Sequence, residues 1–328
     1  MTSAMPPQFS ISCLDAELQQ RTNRDEWDRI LVLRDHPRFV RGVVRYGELM
    51  CEYFAQNIML NKVVTEAWRF QMLVYALHLY DRHDPADPAT GLNLANLSRI
   101  CARQEIASRG RVRAILGLMQ MANYLERRRS GDDARVVHLE PSAAFKDIVE
   151  GWNQRVLQSI DVVDETAGLA RSHLADPRFG WKMRERGAQV LLAGWKPLEP
   201  FPEVRHFVHS DGGLMLLLHC AAEALRPGDG ATISPVALDL GAFGVRYGVS
   251  RSHLRRLLES AHAIGLLDAP PSNGRVIILS PRLVASLIAY LASELGNYRL
   301  WAIATQRELR PHGRANDASR RTSGRQFA

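Results

Sequence analysis

Apolar residues recur at helical spacing along most of the chain. Trp27–Leu33 and Phe39–Met59 predict two helices, and Thr65–Tyr80 predicts a third. In the third, Trp68, Met72, Leu73, Ala76, Leu77 and Tyr80 fall on one face, the i, i+3, i+4 stripe of a buried helix. Asp84–Gly91 stops it, because its prolines and glycine cannot continue a helix. Leu92–Leu94 is long enough for a short strand, Ala95–Ala102 for a short helix and Arg103–Ala107 for a turn. Ser108 then offers a hydroxyl to the orphan N–H groups of a new helix. That helix turns Val112, Ile115, Leu116, Met119 and Ala122 inward, and Arg109, Gly110, Arg113 and Gly117 outward. Tyr124–Arg128 and Val136–Leu139 predict a hairpin around Ser130-Gly131-Asp132. Pro141-Ser142 open a further helix with Phe145, Ile148, Val149 and Trp152 on its apolar side.

The same pattern is written twice. Pro37-Arg38-Phe39 and Gly47 recur as Pro177-Arg178-Phe179 and Gly187, at an offset of 140. Met72, Leu97, Ser108-Arg109, Leu116, Leu125, Leu139 and Pro141 recur as Met215, Leu240, Ser250-Arg251, Leu258, Leu267, Leu279 and Pro281, at offsets between 140 and 143. Such a period is far longer than the roughly 20–50 residues of a solenoid repeat and matches a small domain. In the second copy Ser210 or Asp211 caps a helix containing Leu214, Leu217, Leu218 and Ala221. Thr232-Ile233 is the expected strand, Val236–Val245 the next helix and Arg246–Val249 the turn. The helix after Ser250 faces inward with Leu254, Leu257, Leu258 and Ala261, and outward with Arg251, Ser252, Arg255 and Glu259. Leu266-Leu267 and Val276–Leu279 flank Asn273-Gly274, a strong hairpin turn.

Composition sharpens this picture. The 328 residues are 46% hydrophobic, enough for a core in each of two domains. Formal net charge is +7, which favours a polyanionic partner. Only Lys62, Lys146, Lys182 and Lys196 are lysines, so arginine bias alone carries little meaning and location matters more. Residues 103–135 carry +4, residues 246–275 carry +3 and the tail from 306 carries +4, leaving −4 elsewhere. Basic charge gathers on the two turn-and-helix segments and the tail. Cys13, Cys51, Cys101 and Cys220 are scattered, which predicts buried thiols in a reducing compartment. Neither a signal peptide nor a membrane span is evident, so the expectation is a soluble cytoplasmic protein with no membrane partner.

Strand, short helix, turn, Ser-capped helix and hairpin together resemble a winged helix. The likeness is closest to MarR-type bacterial regulators and covers about 70 residues of each copy, near 72–141 and 215–281. It is architectural and carries no signature motif. The expected fold is mainly α, with two tandem winged helix-turn-helix domains and flanking packing helices. Residues 1–24 would be a flexible leader and 25–160 the first repeat, its winged helix near 65–141. Residues 161–304 would be the second repeat, its winged helix near 210–281, and 305–328 a basic flexible tail. The resemblance implies that the Ser-capped helix enters the major groove and the hairpin wing the minor groove. It would place Ser108, Arg109, Arg111 and Arg113 in the groove in copy one, and Ser250, Arg251, Ser252, His253 and Arg255 in copy two. Arg128 and Arg129 would be the wing contacts of the first copy, Asn273 and Arg275 those of the second. Arginine suits this role because its fork pairs with guanine O6 and N7 and with phosphate. Members of that family usually carry one winged helix and dimerise, whereas this chain carries two. The helices of 25–63 and 143–211 would pack the copies together or pair two chains into a homodimer.

Other readings stay open. The outer arginines also fit a solvated face, the Arg127–Arg129 triplet also fits pairing with Asp132 and Asp133, and the tail also fits plain disorder. A plasmid or phage replication initiator with tandem winged helices, or a winged-helix scaffold that binds protein, are the alternative functions. His206–His209 has HxxH spacing and Asp81, His83, Asp84 and Asp87 lie close in sequence, but neither has a second ligand group at metal-site spacing. His138 and His219 sit in apolar runs and read as core residues. No P-loop, GxGxxG or nucleophile elbow appears, so no cofactor and no enzymatic chemistry is expected. Trp68, Trp152, Trp181, Trp195 and Trp301 read as core, or as the lining of a pocket for an unidentified small-molecule effector.

Overall fold

A computed structural model describes residues 10–64, 66–84, 86–87, 90–129, 137–226, 232–269 and 276–310. The first half runs α1 (Asp15–Arg21), α2 (Arg24–Arg34), α3 (Phe39–Gln56), α4 (Ile58–Val64), α5 (Ala67–Asp81), α6 (Leu94–Arg103), α7 (Arg109–Met121), β1 (Leu125–Arg129), β2 (Val137–Pro141) and α8 (Ala143–Val163). The second half runs α9 (Leu169–Ala175), α10 (Arg178–Leu192), α11 (Pro202–Val208), α12 (Gly213–Leu225), β3 (Val236–Ala237), α13 (Leu240–Tyr247), α14 (Arg251–Ala263), β4 (Val276–Ile277) and α15 (Pro281–Leu309). The fold is mainly α, with two small antiparallel sheets among the described residues.

Local chemistry sets the boundaries. Ser108 and Ser250 cap α7 and α14, accepting from the backbone N–H of Arg111 and His253, and Ser142 and Ser280 do the same for α8 and α15. The turns around the two capped helices also match. Glu105 and Gly248 take left-handed φ of 57° and 69° before them, and Asn123 and Gly265 take 57° and 76° after them. Glycine adopts that conformation at no steric cost, whereas Glu105 bears one.

Several expected elements shift. Part of the leader is helical: α1 buries Leu18, and Asp15 pairs with the buried Arg34. The predicted helix over 39–59 breaks at Asn57, whose side chain donates to the Tyr53 carbonyl at 2.8 Å and competes with the helical ladder. Leu92–Leu94 is not a strand. The Leu92 carbonyl accepts from Leu139 N–H at 2.8 Å, but Asn93 already caps α6. In the second half the strand is Val236–Ala237, paired with β4, and the helix waits for the Asp239 cap. Neither Ser210 nor Asp211 caps α12: Gly212 stands there with φ 71°, and Asp211 reaches Lys62 at 3.2 Å. The segment 305–309, expected in the flexible tail, finishes α15 and buries Thr305. Cys51, Cys101 and Cys220 are buried free thiols, but Cys13 is exposed.

The halves exchange helices. α3 of the first half packs on α12 of the second, and α10 of the second packs on α5 of the first. Likewise α15 packs on α2, and α8 packs on α9. Corresponding helices thus cover each other's half reciprocally, as in a twofold dimer written into one chain. Gly47 and Gly187, the repeated glycines, sit at two close approaches. A Cβ on Gly47 would lie 2.9 Å from the Leu218 carbonyl oxygen, and one on Gly187 would lie 3.0 Å from the Trp301 ring. Buried side chains form two clusters. The larger joins α1–α3 to nearly all of the second half, and the smaller holds α5–α7, β1, β2 and Phe145. No helix among the described residues is long and apolar enough to cross a membrane.

Candidate nucleic-acid interface

α7 and α14 are both thirteen residues long and stand at corresponding places in the two halves. Each follows a shorter helix across a turn, α6 for α7 and α13 for α14, and each precedes a hairpin. α7 buries Val112, Ile115, Leu116 and Met119 against α5 and α6, as its apolar spacing requires. α14 buries Leu254, Leu257, Leu258 and Ala261. What remains outward is basic. Arg109, Arg111 and Arg113 are exposed on α7, and Arg251, Ser252, Arg255 and Arg256 on α14.

The arginines differ in how far they are already engaged. Arg109, Arg113, Arg251 and Arg256 make no ion pair among the described residues. Arg111 leans over the Trp68 ring, 5.8 Å from its centroid, and Arg255 pairs with Glu259 at 2.7 Å. His253 is half-buried, with Nε2 enclosed and lacking a hydrogen-bond partner, so it is the least available residue of the set. Gly110 and Gly117 meet no side chain that would crowd a Cβ, which leaves the α7 surface open to close approach. Both helix N-termini are solvent-facing and carry the partial positive charge that favours an anion.

In the first hairpin, Arg127 pairs across the strands with Leu139, and Arg128 with His138. Arg128 reaches Glu140 at 2.9 Å and is partly neutralised there, whereas Arg127 is exposed. The side chain of Arg129, the 130–136 turn, Asn273 and Arg275 lie outside the described residues, as do the tail arginines from Arg314 onward. The second hairpin is fixed by Asp268 N–H donating to the Ile278 carbonyl at 3.0 Å, and Ser280 N–H to Leu266 at 3.1 Å.

Neither alternative cluster assembles a metal site among the described residues. His206 pairs with Ser260 at 3.0 Å, and burial lowers its pKa and that of His209. Burial raises the Asp81 carboxyl to about 6 against the neighbouring Arg184, and His83 stacks 4.6 Å from His138. Arg256 was missed by sequence reasoning, although its i+1 relation to Arg255 was a readable signal. Comparison of the chain with protein-family models, with curated proteins and with solved structures finds no match.

Proposed function

We propose that the chain is a sequence-specific double-stranded DNA-binding protein, a transcriptional regulator with a winged helix in each half and α7 and α14 as its recognition helices. The observation that carries this reading is the pair of matched, Ser-capped helices whose outward arginines Arg109, Arg113, Arg251 and Arg256 have no partner within the described residues. Uncommitted guanidinium groups beside a helix N-terminus suit phosphate and guanine edges better than they suit a protein core. The reciprocal packing of the halves supports two non-identical readers acting as one unit on an imperfect palindrome. The MarR-like layout inferred from the sequence agrees with this use of the hairpins as wings.

The test is fluorescence anisotropy of a labelled duplex titrated with the full chain across a salt series. Wild type is expected to show affinity falling steeply with salt, by a log–log slope of about 0.9 per phosphate neutralised. Arg109→Ala and Arg251→Ala are each expected to weaken binding by about 1–3 kcal/mol. Binding that is absent in wild type, or untouched by both substitutions together, would contradict the proposal and turn attention to a protein partner.

A further inference from the structure

Beside the α5–α10 contact the packing of the halves leaves a space. A cavity of about 590 Å³ lies there, walled also by α3, α8, α11, α12 and α15. Its volume falls within the range of small-molecule sites, roughly 300–1,000 Å³. Trp68, Trp152, Trp195 and Trp301 line it, whereas Trp181 does not. Four of the chain's six tryptophans thus stand around one space.

Five acids line the cavity: Asp81 and Glu185 pair with Arg184 and Arg82, Glu105 and Glu199 are exposed, and the fifth is Glu294, midway along α15. Its Oε1 is buried without a hydrogen-bond partner. Tyr290 and Tyr298 flank it one turn away on the same helix, and Tyr46 faces it from α3. The charged group that acts on it is a second carboxylate, Glu26 of α2. Glu26 is held by neutral donors, Ser293 Oγ at 2.7 Å, Trp195 Nε1 at 3.1 Å and Asn23 Nδ2 at 3.2 Å, so no cation offsets it either. The basic groups elsewhere on the wall are committed, peripheral or held neutral: Arg184 pairs with Glu150 and Asp81, Arg82 pairs with Glu185, Lys196 and Arg205 are exposed, and burial lowers the pKa of His78 and His209. An enclosed carboxyl with no cation beside it is costly unless something external compensates it. Aromatic faces add attraction for a positive charge brought within about 6 Å.

We propose that this cavity is a binding site for an aromatic organic cation, whose ammonium group meets the Glu294 carboxylate while its ring lies among the cavity tryptophans. The site lies apart from the outward faces of α7 and α14 except at Trp68, whose ring also receives the Arg111 guanidinium at 5.8 Å, so it is probed without DNA. Burial beside Glu26 raises the Glu294 carboxyl to about 8, so the empty site holds a proton that the cation displaces. Cation affinity is accordingly expected to tighten as pH rises from about 6 to about 9.

The experiment is calorimetric titration of the DNA-free full chain with naphthylmethyl-trimethylammonium, a permanent cation, and with naphthylacetate, its anionic counterpart, with tryptophan fluorescence followed in parallel. The cation is expected to bind and quench, and the anion to do neither. Glu294→Gln is expected to weaken the cation by about 10–100-fold, the measure of a charge-assisted contact. Equal affinity for the two probes, no binding of the cation, or unchanged affinity in Glu294→Gln would overturn the proposal. Should Glu294→Gln fail to fold by circular dichroism, Trp301→Leu takes its place. It keeps the carboxyl and is expected to lose about 2–30-fold through the ring's attraction alone, and wild-type affinity there would overturn the proposal equally. Because no DNA is present, failure here and failure of the DNA-binding reading are separate results.

Discussion

The contact of α3 with α12 and the contact of α10 with α5 are made from corresponding parts of the two halves, yet the first is closely packed and the second is looser. On the first, Gly47 lets the backbone of α3 come within reach of the Leu218 carbonyl, and the α12 side chains from Met215 to Leu218 are all buried. On the second, the helices touch with the cavity beside them, and Gly187 of α10 faces the Trp301 ring of α15 rather than a backbone. The core follows the same division. The second half shares one large cluster with α1–α3 and α8, whereas α5–α7 and the first hairpin form a smaller cluster to which α10 adds Leu191. Two halves of matching element order thus carry capped helices of similar shape, α14 within the larger cluster and α7 within the smaller.

The largest expected effects test that division. Leu258→Ala and Leu116→Ala each remove a buried leucine from the inner face of a capped helix and are expected to cost about 2–5 kcal/mol. Hydrogen exchange separates them: Leu116→Ala is expected to expose α5–α7 while α12–α15 stay protected, and Leu258→Ala to loosen the whole molecule. Uniform loss of protection in both would erase the distinction between the cores. Gly47→Ala comes next, at about 1–3 kcal/mol, because a backbone oxygen cannot step aside. Gly187→Ala is expected to melt within about 1 kcal/mol of wild type, since the Trp301 ring can move into the cavity and alanine favours the helix. If thermal melts rank the two glycines the other way, the backbone oxygen yields more readily than the Trp301 ring, contrary to this account.

Titration probes the cavity side. Burial holds the Glu294 carboxyl up at about 8 and the Asp81 carboxyl at about 6, against 4.5 and 3.8 for the free groups. The folded chain thus holds these protons more tightly than the unfolded chain, so stability falls as pH rises through the interval between each pair of values and levels off above it. In melts across pH, Glu294→Gln is expected to lose the part of this slope between about 4.5 and about 8. An identical slope in both proteins would mean that the carboxyl sits in a water-like setting. Smallest of all is Glu105→Gly, which gives the first half the left-handed glycine the second has in Gly248. Relief of backbone strain and added freedom of the unfolded chain nearly cancel, so the melt is expected to move by no more than about 0.5 kcal/mol.

Much of the local structure was legible because it is governed by short-range rules. The Ser108 and Ser250 caps, the inward leucines of α7 and α14 and the matched order of the halves all followed from spacing. The errors fell where a local residue choice competes with periodicity: Asn57 broke a helix that its apolar pattern would have continued, and Gly212 displaced two good capping residues. The exchange of helices between halves was not legible, since contacts at separations beyond a hundred residues leave no local pattern. Glu294 did leave one, as a lone acid one turn from Tyr290, Leu291 and Tyr298 in a mostly apolar stretch of α15. Its significance appears only once Glu26, from the far end of the chain, is found beside it.

The most direct test of the central claim is selection of bound sites from a random duplex library by wild type and by Arg109→Ala and Arg251→Ala separately. Two recognition helices in one chain predict a split motif in wild type, with a different half degraded in each variant while the thermal melts stay unchanged. A single undivided motif, or loss of both halves together in either variant, would contradict two-headed reading by α7 and α14.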